Sequence, residues 1–335
     1  GPIGDHTGYY SLVGDYPVFH LTAITHRRNP VYSATIVGRP PMEDCYLAKA
    51  TERVFLPLMN AVLPEVKDFW LPWEGVFHNL SVISIAKEYP GHARRIMSAV
   101  WGQGQMSFCK GVVLVDDSVD LSRPEGVLRE VLDRIDLRKD ITITEGVLDV
   151  LDHSAPEPLF GGKLGVDATR RMEGETGRAA VAGPAELPSS VAIQEALGSV
   201  SELLVDHHAP PLETRNRVLL VNFRKTGAIS AQRFRESLPD QPVLKPFSII
   251  VLCDDSVNLK DYPLVIWKAC NNVDPKRDML VRDGRIVIDA TRKGPEDGHH
   301  REWPEDIVMA PEIVERVRKR AVELGIDSWE TLGDS

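Results

Sequence analysis

Val113-Leu114-Val115-Asp116-Asp117-Ser118-Val119-Asp120 recurs later in the chain as Val251-Leu252-Cys253-Asp254-Asp255-Ser256-Val257-Asn258. In each copy a short apolar run, of the kind that fills a parallel sheet buried on both faces, ends on a pair of aspartates. Two further matches follow in the same order. Asp136-Leu137-Arg138-Lys139-Asp140 returns as Asp274-Pro275-Lys276-Arg277-Asp278, and Val166-Asp167-Ala168-Thr169-Arg170 as Ile288-Asp289-Ala290-Thr291-Arg292. The chain therefore carries a duplicated strand-helix-strand unit, the second copy shortened because nothing in it answers to residues 149–163. Aspartates that recur in both copies are better explained by helix capping and turn structure than by metal or phosphate chemistry at a strand end.

Around the repeat, Leu47, Ala50, Val54, Leu58 and Met59 stand at helical spacing and predict a helix over Glu43–Val62, with Pro57 as a kink. A strand is expected over residues 76–85, and a helix over 92–106 after the Pro90-Gly91 break. Residues 17–24 and 32–37 read as two short strands around a polar turn, and such a pair needs further strands to be stable. Residues 172–188 are rich in Gly, Glu, Ala and Pro and read as a linker; a helix over 186–204 and a strand over 218–223 follow. The last helix starts at Pro311, with acidic residues early and basic ones later. Its apolar stripe is Ile313, Val314, Val317, Ala321 and Leu324, and Gly325 can end it.

With 335 residues, 43% apolar and 26% charged, the chain is sized for about two domains. A net charge of −10 argues against nucleic acid as a partner, since a phosphate-binding face is basic. Cys45, Cys109, Cys253 and Cys270 are scattered without a Cys-x-x-Cys, and read as small apolar residues in a reducing compartment. No apolar stretch approaches the ~18 residues of a membrane span, so no integral membrane segment and a cytoplasmic location are expected. Gly161-Gly162-Lys163 is no phosphate loop, because Leu164 stands where a hydroxyl belongs. His207-His208 and His299-His300 read as solvated loop pairs, and no metal ligand is assigned in this chain.

The first ten residues, Gly1-Pro2-Ile3-Gly4-Asp5-His6-Thr7-Gly8-Tyr9-Tyr10, form a glycine-punctuated loop able to hold one carboxyl group in a fixed place. By composition alone it reads as an ordinary turn with Asp5 facing water. The stretch resembles the active-site loop of the UbiD-family decarboxylases, Glu-Gly-Pro-Phe/Tyr-Gly-Asp/Glu-His-Thr-Gly-Tyr-Tyr, with Ile3 at the aromatic position and the leading glutamate absent. Thr25-His26-Arg27, Val37-Gly38-Arg39-Pro40-Pro41, Pro90-Gly91-His92-Ala93-Arg94-Arg95, Leu151-Asp152, Lys163-Leu164-Gly165-Val166-Asp167 and Arg301-Glu302-Trp303 look like further landmarks in the family's order.

The resemblance implies an α/β fold in which residues 1–41 are the last strands of an incomplete, flavin-reductase-like split β-barrel. Connecting helices and strands over 42–110 lead to the first repeat copy at 111–171. A linker and insertion over 172–245 precede the second copy with the C-terminal helix at 246–335. The implied activity is reversible, non-oxidative decarboxylation of an aromatic or unsaturated acid with prenylated FMN. Asp5 would be the catalytic proton donor, and His6, Val31 and Tyr32 would belong to the substrate pocket. Similarity to the longer branch of the family points to a naphthoate of menaquinone biosynthesis.

A divalent metal (manganese) and potassium would be held by ligands upstream of this chain, which looks like a fragment. A flavin prenyltransferase would supply the cofactor, and the C-terminal helix would reach over a neighbouring subunit in a homo-oligomer. An aspartate at its ordinary pKa of ~3.9 is protonated about one time in a thousand at pH 7, so a donor at Asp5 needs a raised pKa. His6 reads as a proton shuttle or as a partner of a backbone carbonyl, and Arg39 as an anchor of the turn into the first helix. A rival reading is a non-catalytic α/β dimerisation or assembly module.

Overall fold

In a computed structural model that describes residues 3–176, 186–226, 229–321, 323 and 325, each copy of the recurring motif is the central strand of a five-stranded sheet. Expectations on Gly1, Pro2, the middle of the 172–188 linker and Leu324 fall outside the described residues. The first unit runs α1 (Glu43–Val62), β1 (Val66–Trp70), β2 (Leu80–Ile85), α2 (His92–Trp101), β3 (Gly111–Asp116), α3 (Pro124–Arg134), β4 (Ile141–Val147) and β5 (Phe160–Asp167). The second runs α4 (Ser190–Val200), β6 (Leu204–His208), β7 (Arg217–Phe223), α5 (Gln232–Arg235), β8 (Phe247–Asp254), α6 (Tyr262–Asn272), α7 (Pro275–Asp278), β9 (Met279–Arg282) and β10 (Arg285–Asp289), and α8 (Pro311–Lys319) follows.

Strand orders β1-β2-β3-β5-β4 and β6-β7-β8-β10-β9 are the same topology, with three parallel inner strands and an antiparallel strand at each edge. The duplication thus extends further toward the N-terminus than the recurring motif: β1 and β2 lie in the stretch expected to be connecting structure, and β6 and β7 in the expected linker and insertion. Their sequences have diverged because a buried strand asks only for apolar residues of suitable size, not particular ones.

Both faces of the first sheet are covered. One carries Ile83, Ile85, Val112 and Leu114 against Ile96 and Val100 of α2. The other carries Val82, Val115 and Val166, and shares one core with Ile286, Ile249, Val281 and Ile288 of the second sheet. Glycines make the junction possible. A Cβ on Gly162 of β5 would lie 2.6 Å from the backbone nitrogen of Lys276, and the Gly162 N–H donates to Asp274 Oδ2 at 2.7 Å. That is why two glycines precede Lys163.

Several expectations need correction. The aspartates at the strand ends are not helix caps: Asp116 accepts the Arg170 N–H at 3.0 Å and the Arg134 guanidinium, and Asp254 accepts the Arg292 N–H at 2.9 Å. Each ties its strand to the turn after the last parallel strand. No strand forms over residues 17–24 or 32–37, since they have no ladder partner; Phe19, Val31 and Tyr32 are exposed there. His207 and His208 lie on β6, bonded to Gln194, Ser190 and Tyr262. His299 is fully buried against Trp303 and Arg277, so neither pair is a simple solvated loop. The last helix stops at Lys319, short of Gly325, with Ile313, Val314 and Val317 half-buried. Among the described residues no helix is long and apolar enough to cross a membrane.

Candidate active site

The opening loop folds into a small hairpin closed by its own aspartate. Asp5 Oδ1 accepts the Thr7 N–H at 2.7 Å and also the Thr7 hydroxyl, the local bonding that favours aspartate in turns. Gly4 bridges Tyr10, the Gly8 N–H donates to the Asp5 carbonyl at 3.2 Å, and Gly8 itself has φ +88°. An L side chain is strained at that φ, and a Cβ there would also lie 2.7 Å from Cζ2 of Trp267. Residues 305–307 then pair with the hairpin: Tyr10 N–H donates to the Glu305 carbonyl at 2.9 Å, and Ile307 N–H to the Gly8 carbonyl at 2.8 Å.

Beneath the loop lies a buried aromatic and polar layer. Tyr9 is 1% exposed, stacks on Trp267 of α6 at 4.8 Å and donates its hydroxyl to Asn272 Oδ1 at 2.9 Å. His153 packs on Tyr9 and edge-on to Trp303. Arg301 donates to the Asp152 and Ala155 carbonyls at 2.9 and 3.0 Å, while Asp152 pairs with the buried Lys110 at 2.9 Å. Leu151-Asp152 and Arg301-Glu302-Trp303, distant in sequence, therefore meet under the Asp5 loop as its support.

Asp5 and His6 are half-buried. Burial pushes the Asp5 carboxyl above the usual aspartate value; the two Thr7 bonds and His6 pull it down, and Asp149 adds to the rise. His6 stands on the wall of a cleft of about 680 Å³ between α1 and the rest of the first unit, whose apolar lining includes Met59, Leu63, Phe69, Leu71 and Met106. The volume is in the range of small-molecule sites. His6, His78 and Asp149 are among the polar groups on its wall. Val76 (φ 44°) and Phe77 (φ 71°) are strained, and that backbone presents Phe77 in a stack with His6 at 5.9 Å and His78 edge-on to it at 5.3 Å. Burial lowers His78 to about 4, and its two ring nitrogens are buried without a hydrogen-bond partner.

Asp5 and His6 are thus brought together beside a cleft, and Val31 and Tyr32 are not: both lie on the strandless segment, 82% and 92% exposed. His26 and Arg27 are exposed and bond only to nearby carbonyls. Arg39 pairs with Asp261 at 3.6 Å, where Asp261 caps α6, an anchoring role. Sequence reasoning missed Phe77 and His78, which fell inside an expected strand, and Trp267 and Asn272 of α6. Among the described residues no three His, Cys, Asp or Glu side chains gather as a metal site would require.

The family model of the 3-octaprenyl-4-hydroxybenzoate carboxy-lyase C-terminal domain matches residues 45–168 and 184–299, the stretches that hold the two sheets. That of the Rift-related domain of the same carboxy-lyase matches residues 1–40. An uncharacterized protein of Helicobacter pylori (strain J99) is 34% identical over 99% of this chain and 52% of its own length. One of Archaeoglobus fulgidus is 52% identical over 52% of this chain and 37% of its own length. The chain spans about half the length of the Helicobacter relative and less of the other. Among solved structures, the UbiD-class enzyme HmfF from Pelotomaculum thermopropionicum in complex with FMN is 32% identical over 52% of this chain and 38% of its own, with a TM-score of 0.45. Vanillic acid decarboxylase of Sedimentibacter hydroxybenzoicus is 23% identical over 60% of this chain and 43% of its own, with a TM-score of 0.47.

Proposed function

This chain belongs to the UbiD family of carboxy-lyases, and on that premise we propose that it is the proton-delivering part of a decarboxylase acting on an aromatic or unsaturated carboxylic acid. The observation that carries the reading is the half-buried Asp5 with its raised pKa, next to His6 on the wall of an apolar cleft. Loss of carbon dioxide leaves an electron pair on carbon that needs a proton, and a setting that raises a carboxyl's pKa favours the acid form that can give one. Two threonine bonds aim the carboxyl while leaving its second oxygen to carry the proton. The cleft's largely apolar lining with a few polar groups suits a ring system bearing one polar function, such as a naphthoate of menaquinone biosynthesis.

Prenylated FMN belongs to this reading as the group that, when bound, supplies the electron sink. The described residues fit the acid side of such a site and gather no cluster of metal-ligand side chains, so manganese and potassium are given no ligand here. Residues 1–41 belong to the reading as the edge of a split barrel, supported by the Rift-related match and by the exposed Phe19, Leu21, Ile24, Val31 and Tyr32. A reducing, cytoplasmic setting, self-association and a flavin prenyltransferase as cofactor source complete it; the free cysteines support the first.

The test is Asp5→Asn in the full-length protein matured with prenylated FMN. The amide keeps an oxygen to accept the Thr7 bonds but cannot give up a proton as an acid, so carbon dioxide release and substrate deuterium exchange should fall by about 10²–10⁴-fold. Undiminished turnover would refute the assignment.

A further inference from the structure

We infer that α6 of the second unit is a positioning platform for Asp5, a role its duplicate α3 does not have, and that Trp267 is the central positioning residue. The inference rests on the proton-donor reading for its purpose and on internal comparison for its argument.

From Asp116/Asp254 to Asp136/Asp274 the two copies align without a gap. Residues that face the sheet agree: Leu121 with Leu259, Val127 with Val265 and Ile135 with Val273 are all buried. The outward positions do not agree. Arg129, Glu130, Asp133 and Arg134 of α3 correspond to Trp267, Lys268, Asn271 and Asn272 of α6. Arg129 and Asp133 are exposed, as an outer helix face usually is, whereas Trp267, Asn271 and Asn272 are buried.

What buries them is the candidate site. Trp267 Nε1 donates to the Thr7 carbonyl at 2.8 Å, and its ring lies under Gly8 and Tyr9. Lys268 Nζ lies 4.5 Å from the Trp267 ring centre and 5.1 Å from that of Tyr9, and pairs at 2.7 Å with Asp306, in the segment that bridges the loop at Tyr9. Asn272 accepts from the Tyr9 hydroxyl. Asn271 reaches the other wall: it donates to the Glu74 carbonyl at 3.2 Å and accepts from Asn79 at 2.9 Å, bracketing the segment that carries Phe77 and His78. One helix face thus fixes both the Asp5 loop and the loop opposite it. Thr7 links that face to the acid, because its carbonyl binds Trp267 while its N–H and hydroxyl hold the Asp5 carboxyl.

Trp267→Phe removes the indole donor and keeps an aromatic ring under Tyr9. In the folded chain, the Gly8 and Ile307 amides should then exchange about tenfold faster, while amides of β7 and β8 hold. The Asp5 carboxyl, followed by carbon-13 NMR, should titrate lower, toward an ordinary aspartate, as the loop loosens into water between His6 and Asp149. Arg129→Leu, at the matching place in α3, should move neither quantity.

A folded Trp267→Phe chain whose loop exchange and Asp5 titration match the parent would overturn the inference, as would equal shifts in Arg129→Leu. Should Trp267→Phe not fold, Gly8→Ala presses on the same contact from the loop side and is read by the same two quantities, with the same overturning result. Neither readout needs cofactor or turnover. An Asp5→Asn enzyme that still decarboxylates would therefore remove the proton-donor reading and leave the positioning inference standing.

Discussion

Asp5, Asp167 and Asp289 each accept the N–H and hydroxyl of the threonine two residues on, at N–H distances of 2.7, 3.0 and 3.0 Å. A carboxylate doing this is sufficiently explained as a turn, so the bonding by itself says nothing of catalysis. The surroundings separate the three. Asp167 lies 4.0 Å from the buried Lys87 and Asp289 3.3 Å from the buried Lys293, while the charged groups acting on Asp5 are His6 and Asp149. Thr7→Val removes one stabiliser of the ionised form and should raise the Asp5 pKa further, measured by carbon-13 NMR; a fall would contradict the assigned role of the hydroxyl. Gly8→Ala places a methyl against Trp267 at a φ an L residue avoids, and should cost about 1–3 kcal/mol in urea unfolding.

Helix α6 shows where the sequence was informative and where it was passed over. The duplication was legible in the strand ends and turns on either side of α3 and α6, Val113–Asp120 with Val251–Asn258 and Asp136–Asp140 with Asp274–Asp278, and not in the helices themselves. The signal for the site lay in the positions that differ, Trp267, Lys268, Asn271 and Asn272 against four charged residues, and a search for similarity does not weigh differences. Phe77 and His78 were hidden for another reason: a positive φ at Val76 leaves no mark in residue type, and the run looked like continuous strand. The expected strands over 17–24 and 32–37 had the right composition but no ladder, and strand structure requires a partner. At β5, the glycines that do not make a phosphate loop are explained by α7. Gly162→Ala should therefore part the two units, costing about 1–3 kcal/mol in urea unfolding, and an unchanged midpoint would mean the junction is looser than the 2.6 Å approach implies.

At the scale of the molecule, two sheets of one topology share a core, and the candidate site lies where the opening loop crosses from one unit to the other. The repeat and the family landmarks were legible along nearly the whole chain. Their convergence under the Asp5 loop was not, because it depends on contacts such as Tyr9 to Asn272 and Arg301 to Asp152, 263 and 149 residues apart in sequence. This buried layer has a consequence for acid stability. Burial lowers His153 to about 3, and His78 and His299 to about 4, so they stay neutral in the folded chain, whereas the unfolded chain protonates them near ~6.5. The unfolded state then binds more protons, and stability should hold above about pH 6.5 and decline as the pH falls toward 4. Asp152, held down to about 2 by Lys110 and Ser154 against its burial, adds a further loss below about pH 4. Urea midpoints across this range should fall, and His153→Gln should flatten the upper part of the decline; a flat parent profile would contradict the neutral histidines. The central claim, an acid whose pKa its setting raises, is tested most directly by a carbon-13 NMR titration of the Asp5 carboxyl in the unaltered chain. A midpoint above the ordinary aspartate value of ~3.9 is predicted, and one at or below it would contradict the account.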